Sequence, residues 1–466
     1  MPRMLFAALS ALCLLAGCTT APPPADAVLL GRVFDARAGR VVEDGAVVVA
    51  SGAILCAGRA RDCRWNARTP VHDYGRALLL PGLIDLHVHA RPHFLGAFLP
   101  SGVTTVRDAN NTLDMIAAMR ATAGAPRILA SGPMLDGEGN VFSGGPSPLG
   151  SRPLGEIMPI TIAGEDDAAA AVNALAEAGV EWIKLYEQVP PAAFDAASRA
   201  AGAAGLPVMA DLGTMLTRGL TQAEIDATQA ARAGVSSLEH LSGAALAYRR
   251  LGGDPLADAL DDALLDRIAG EIAASGMAVV PTVGNARQFA RPGSLALDDL
   301  PGAGRMRPYF ADYWKYLEGA VSGDRATPRA AADLRFVSAL LPRLLAAGVP
   351  IGAGSDLPAA PYMLPGGALH QELAALVDAG LEPVQALQAA THVAADILGR
   401  PDLGRLETGA RADIVVVDGD PLADIRHTRR IAAVWFEGEP LDLDAAWRAV
   451  ETALQAATDE QAQEAA

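Results

Sequence analysis

The sequence predicts an α/β fold, a (β/α)8 TIM barrel with a small β-sandwich domain assembled from both ends of the chain. Three observations carry this. Eight apolar, strand-like runs alternate with alanine-rich helical segments through the middle of the chain. Short β-branched runs punctuated by Gly and Asp lie before and after that region. The length of 466 residues accommodates one barrel of roughly 250 residues and a second, smaller domain. With 51% hydrophobic residues the chain can bury a large core, so disorder is not its default state.

The first element is a leader rather than part of the fold. Arg3 precedes an apolar run, Met4 to Leu15, which is too short to span a bilayer as a mature helix. The run ends in Leu15-Ala16-Gly17-Cys18, and the proline-rich Ala21-Pro22-Pro23-Pro24-Ala25 follows. This resembles a bacterial lipoprotein signal with its lipobox. The resemblance implies a signal peptide over residues 1–17 and lipidation of Cys18. It also implies a tether over 18–26 and a location on the periplasmic side of a membrane, touched only through the lipid. The alternative is an ordinary secretory signal with a chance cysteine; both readings export the protein. Cys13 leaves with the signal, so Cys56 and Cys63 remain. In an oxidising compartment they are candidates for a disulfide, against the alternative of two reduced thiols. A zinc site there is disfavoured, because no further ligands stand at suitable spacing.

Next come the strands of the sandwich. Residues 27–80 read as short strands with glycine turns, and 403–445 look similar, notably ADIVVVDGDPLADIRHTRRIAAVWFEGEP from Ala412 to Pro440. Neither stretch makes a good sheet alone; together they make one small β-domain. Residues 446–466 form a C-terminal helix or tail.

The barrel occupies 81–402. Its strands are read at Leu83–His89, Val103–Asp108, Arg127–Gly132, Glu181–Glu187, Pro207–Leu212, Ser236–Leu241, Ala278–Val283 and Pro350–Asp356. Asp166–Ala178, Pro191–Ala204, Thr221–Ala233 and Ala331–Ala347 have helical composition and length. Nearly continuous apolar strands separated by helices mean a parallel sheet covered on both faces, and eight such units favour closure. No G-x-G-x-x-G follows a strand, so a dinucleotide fold lacks support. The net charge of -17 argues against a nucleic-acid partner. The long connection 284–327 holds Tyr309, Phe310, Tyr313, Trp314 and Tyr316 in a chain with only 5% aromatics. A helix packing these rings on the barrel is the favoured reading; a lid over the catalytic end is the other.

Chemistry is read at the strand ends. His87 and His89 end the first strand, and residues two apart on a strand face the same way, here the barrel mouth. Lys184 lies on the fourth strand, Glu239-His240 end the sixth, and Ser355-Asp356 end the eighth. A lysine directed into an apolar barrel is costly unless paired or modified. Two or three imidazoles and a carboxylate make a nitrogen and oxygen shell suited to zinc or a similar divalent ion. Singly, Lys184 could snorkel, His240 could be a core histidine and Asp356 a helix cap; together, at strand ends in order, they point to a metal centre.

On these residues the chain resembles the amidohydrolase superfamily, in its prolidase-like and imidazolonepropionase-like branch. The segments that carry the resemblance are PGLIDLHVH (81–89), GVTTVRDA (102–109), WIKLYE (182–187), GVSSLEHLSG (234–243) and IGAGSD (351–356). To these are added LHQELAALVDAGLEPVQALQAATHVAADILG (369–399) and LGRLETGARADIVVVDGDPLADI (403–425). The resemblance implies that His87, His89 and Asp356 bind a first ion and that His240 binds a second. It implies that Lys184, carboxylated by CO2, bridges the two. A bridging hydroxide would be the nucleophile, and Asp356 would take its proton and pass it to the leaving group. The implied activity is hydrolysis of a C–N bond in a small-molecule amide, peptide or cyclic amide.

Two positions depart from the pattern. The family places a histidine at the end of the fifth strand, where LPVMADLG (206–213) carries Asp211. A carboxylate can still ligate, but it is shorter and adds negative charge, so one ion or two are both compatible. The loop EGNVFSGGPSPLG (138–150) lacks the Gly-His segment of relatives, which removes or replaces a substrate contact. Arg107 and Tyr186 are candidate pocket residues, with core roles as the alternative. Two other functions stay open: lactone or ester hydrolysis by the same metal chemistry, and a non-catalytic binding lipoprotein. Oligomeric state is not read from the sequence.

Overall fold

The structure is a computed structural model that describes residues 24–139, 159–321 and 326–464. The signal segment, Cys18 and most of the 138–150 loop lie outside the described residues.

Strands from both ends of the chain share one mixed seven-stranded sheet. Ala27–Asp35, Arg40–Ala50, Ala53–Arg59 and Val71–Pro81 come from the N-terminal side, and Ile414–Val417, Ile431–Phe436 and Glu439–Pro440 from the C-terminal side. Val71–Pro81 is the seam: it runs parallel to Ala27–Asp35 and antiparallel to Ile414–Val417, with Leu79 opposite Val416. The sheet then curls on itself. Ile54 N–H donates to the Ala410 carbonyl at 2.8 Å and Ala412 N–H to that of Gly52 at 2.9 Å, so an edge strand meets the C-terminal segment again. Strand alternation assigns two apolar faces. Leu29, Val47, Val49, Leu79, Ile414, Val416 and Trp435 fill the interior of this domain. Leu78, Leu80, Val415 and Val417 belong to the core shared with the barrel.

The barrel strands follow the expected order. Leu83–Val88, Val103–Asp108 and Arg127–Ala130 pair in parallel. Ile183–Leu185, Val208–Ala210, Ser237–Glu239 and Ala278–Val280 do likewise. Glu181 N–H to the Ala130 carbonyl joins the two sets at 3.0 Å. The eighth segment closes the ring by single bridges, Val279 to Ile351 and Val88 to Leu357. It closes tightly: a Cβ on Gly354 would stand 2.5 Å from Val280 Cγ1 and 2.9 Å from His87 Cβ, so only glycine lets this backbone press against its neighbours.

Alternation also decides what points inward. On the fourth strand Ile183 and Leu185 join the outer core with the helices. Trp182 belongs to a separate inner cluster with Ile84, Leu86, Leu129, Met209 and Val280. Lys184 and Tyr186 share Trp182's face, one and two steps nearer the mouth.

Helices Glu165–Glu177 and Pro191–Ala204 match their expected spans closely, and Ala331–Ala347 is extended to Ala326–Ala346. Thr221–Ala233 does not form one helix; only Ala227–Arg232 is helical. Asp226 is the cause, because its side chain accepts from the Thr228 and Gln229 backbones while Gln229 reaches back to the Asp226 N–H, a capping box that starts the helix late. The connection 284–327 contains helices Val283–Ala290 and Ala303–Val321. Phe310, Tyr313 and Trp314 are buried, with Phe310 6.0 Å from Phe94, so this aromatic face packs inward.

Cys56 and Cys63 are bonded, tying the edge strand to the turn that follows it. Closing so short a loop restricts the unfolded chain by about 2–3 kcal/mol. Replacing both cysteines with serine is therefore expected to lower the thermal midpoint in non-reducing buffer. Scanning calorimetry checks this: the gap to the wild type should vanish in reductant, and equal midpoints without reductant would refute it.

Candidate metal centre

The mouth of the barrel gathers the residues read from the sequence. His87, His240 and Asp356 each offer a ligand atom, all within 4.8 Å of one another. His89 Nε2 lies 3.1 Å from Asp356 Oδ1, and His87 Nε2 lies 3.5 Å from the same oxygen. Lys184 Nζ stands 3.4 Å from His87 Nε2 and 4.0 Å from Asp211 Oδ2. His240 Nε2 is 3.3 Å from Asp211 Oδ2. The six candidate ligands thus form one connected set. Its most compact group, His87, His240 and Asp356, crosses the division into a His87–His89–Asp356 site and a His240 site that the resemblance implies. Asp211 is buried and faces its fellow candidates, as a ligand would and a displaced side chain would not.

Charge is distributed unevenly here. Burial, then the charges of Lys184 and His240, hold the His87 imidazole well below its ordinary pKa, which leaves it neutral. His87 Nδ1 lies 2.6 Å from Glu239 Oε2, so its hydrogen belongs on Nδ1 and its lone pair on Nε2, facing the other ligands. Burial alone would also depress His240, but Asp211 and Asp356 outweigh it and raise the ring to about 9. Burial would raise Asp211, yet His240 and Lys184 bring its pKa below the usual value. His240 and Asp211 are therefore an ion pair before any metal arrives. The donor set fits a divalent cation: two or three imidazoles, two carboxylates and a lysine amine converge in a buried mouth.

Backbone strain marks the same place. His240, Thr282 and Asp356 all have positive φ, at 59°, 46° and 58°. For β-branched Thr282 this is costly, and it is held by its surroundings. Its hydroxyl lies 2.6 Å from His240 Nδ1. The next two N–H groups, Val283 and Gly284, donate to the buried Glu372 at 3.1 and 2.6 Å. Their helix then presents Asn285, whose amide donates to Asp356 Oδ2 at 2.9 Å and fixes the rotation of that carboxylate.

Of the two roles open to Arg107, pocket or core, the structure shows the core one. It is completely buried beneath the metal centre. Its guanidinium donates to the Leu86 carbonyl at 2.6 Å, to Ser237 Oγ at 2.9 Å and to Glu239 Oε1 at 2.8 Å, and it stacks over Trp182 at 4.4 Å. The physical reason is its partners: the guanidinium is held by Leu86, Ser237 and Glu239, so it cannot reach the mouth. It supports Glu239, which orients His87. Tyr186 does line the mouth cavity, together with Asp211, His240 and Asp356. Glu239, Thr282, Asn285 and Glu372 were not singled out from the sequence. Only Glu239 had a signal, since it stands two residues beyond Ser237 on a strand whose inward face leads to the mouth. The other three depend on contacts between distant segments.

With the geometry in view, the family follows. The chain matches the amidohydrolase family over residues 78–441 and belongs to it. Adenine deaminase 2 of Agrobacterium fabrum is 52% identical over 82 residues, which cover 18% of this chain and 14% of that protein. Imidazolonepropionase of an Anaeromyxobacter species is 35% identical over 113 residues, 20% of this chain and 25% of that protein. The chain therefore matches these curated relatives over no more than a quarter of their length. A solved Xaa-Pro dipeptidase with methionine bound in its active site aligns with a TM-score of 0.64 at 20% identity, over 89% of this chain and 99% of that one. At that identity the likeness speaks for the fold.

Arg107→Met would leave the Glu239 carboxylate buried without its cation, at a cost of about 3–5 kcal/mol of stability. Denaturant unfolding should show that loss, and adding Glu239→Gln to the same chain should recover part of it. A single variant as stable as the wild type would contradict the buried pair.

Proposed function

We propose that the protein is a metal-dependent amidohydrolase that cleaves a C–N bond in a small-molecule substrate. The single observation that supports this most is the convergence of His87, His240 and Asp356, with His89, Lys184 and Asp211 in contact, at the mouth of a barrel of this family. The relatives named above carry deaminase, imidazolonepropionase and dipeptidase names, all of which agree with C–N chemistry.

His87, His89, His240, Asp211 and Asp356 would hold one divalent ion or two, with zinc the ion that suits the donors, and Lys184 would join them once carboxylated. The ion, when bound, lowers the pKa of water toward neutrality and polarises the scissile carbonyl. The remaining work belongs to the chain. Glu239 keeps His87 in the tautomer that directs Nε2 at the site. Asn285 holds Asp356 so that Oδ1 faces the two histidines of the first strand. From there Asp356 takes a proton from the attacking water and delivers it to the leaving nitrogen. Tyr186 closes one wall of the cavity.

We propose also that the protein is exported and held at a membrane through lipid on Cys18. The lipobox-like sequence motivates this, and the Cys56–Cys63 disulfide suits an oxidising compartment. No described helix is long and apolar enough to cross a membrane.

Purified protein should contain a transition metal by elemental analysis, and a chelator should abolish hydrolysis across a panel of dipeptides, cyclic amides and lactones. His87→Ala is expected to lose bound metal and to reduce kcat/KM at least a thousandfold. Full activity after complete metal removal would reject the proposal, and hydrolysis of lactones alone would reassign the bond. For the anchor, Cys18→Ser should move the protein from the membrane fraction to the soluble one; a variant that stays membrane-bound would reject lipidation.

A further inference from the structure

The cavity at the mouth, about 140 Å³, is lined by more than the metal centre. Helix Ala326–Ala346, which packs across the mouth, contributes Asp333 to it. Asp333 Oδ1 accepts the Met215 N–H at 3.2 Å, and Oδ2 takes no hydrogen bond from any described residue. The other two carboxylates of the cavity are engaged. Asp211 faces His240, and Asp356 faces His89 and Asn285. No lysine or arginine lines the cavity. Arg218, next to Thr217 of the lining, forms its ion pair with Glu187, its Nε donating to Glu187 Oε1 at 2.8 Å. The remaining walls include the rings of Tyr186 and Phe289.

A carboxylate with one unused oxygen, in a cavity where His240 already faces Asp211, calls for a partner. We propose that Asp333 is a specificity residue that receives a cationic group of the substrate, an ammonium or guanidinium. This deepens the amidohydrolase reading and rests on it. Asp211 and Asp356 would be balanced by the metal, so Asp333 is the charge left for the substrate. Burial, opposed by the Met215 N–H and His240, raises the Asp333 carboxyl to about 6, and a bound cation would favour its ionised form. A charge-assisted bond in such a site is worth roughly a 10- to 100-fold preference.

Asp333→Asn tests this, because asparagine keeps an acceptor for Met215 and removes only the charge. Two probes differ by the ammonium alone: N-acetyl-L-lysinamide and N-acetyl-L-norleucinamide. Calorimetry should show the wild type binding the lysine probe at least tenfold tighter, and the variant losing that preference. Equal binding by the wild type, no binding of either probe, or a preference that survives in the variant would each overturn the proposal. The same comparison in turnover uses glycyl-L-lysine and glycyl-L-norleucine. The ratio of their kcat/KM values should fall at least tenfold in the variant, mainly through KM for the lysine substrate. An equal fall for both would assign Asp333 a structural role only. Charge-dependent binding without any hydrolysis would reject the amidohydrolase reading and leave Asp333's role standing. Hydrolysis without charge preference would do the reverse.

Discussion

The buried chain from Arg107 through Glu239 to His87 is the support under the candidate metal centre. It places a full ion pair in the middle of an apolar barrel, where an isolated charge would be intolerable. Each member satisfies the next. Arg107 finds a carbonyl, a hydroxyl and a carboxylate, Glu239 uses one oxygen for Arg107 and one for His87, and His87 is left with a single lone pair facing the mouth. Because every donor in this layer has a defined acceptor, the imidazole cannot choose another tautomer without leaving Glu239 unsatisfied.

Above that layer the constraints come from the loops. Thr282, His240 and Asp356 are held with positive φ at the points where strands end and side chains must turn over the mouth. Glu372 binds the start of the helix that carries Asn285, and Asn285 fixes Asp356. The eighth strand, reduced to single bridges, is fastened by Asp85, which accepts the Ser355 N–H at 2.9 Å and hydroxyl at 2.6 Å. The Asp356 carboxylate is thereby positioned by three separate segments of chain.

The departure at Asp211 takes on meaning in this setting. A histidine at this position would give the site another neutral nitrogen. The carboxylate instead pairs with His240 and raises it to about 9, so the pair is charged when no ion is bound. Binding a cation at this half of the site must then displace a proton from His240, which couples that half to pH as well as to metal. The negative charge also bears on the cavity, where Asp333 adds a carboxylate beyond the one that His240 faces.

The sequence by itself determined the fold class and named most of the candidate ligands that meet at the mouth, because both depend on short-range periodicity. Alternation along a strand decides that Lys184 and Tyr186 share a face with Trp182, and that Leu79 and Val416 face one core while Leu80 and Val415 face another. Strand ends in order around a barrel are enough to bring His87, Lys184, His240 and Asp356 together. What periodicity cannot report is depth within the barrel, and so pocket and core roles both stayed open for Arg107, which is a buried support. Nor can it report which distant groups meet. The late start of the helix at Ala227 turned on one capping box, and Asn285, Glu372 and Asp333 act through partners 71, 88 and 118 residues away. Those pairings exist only after the ring has closed, since no local preference links such segments before they share a core; tertiary structure alone decided them.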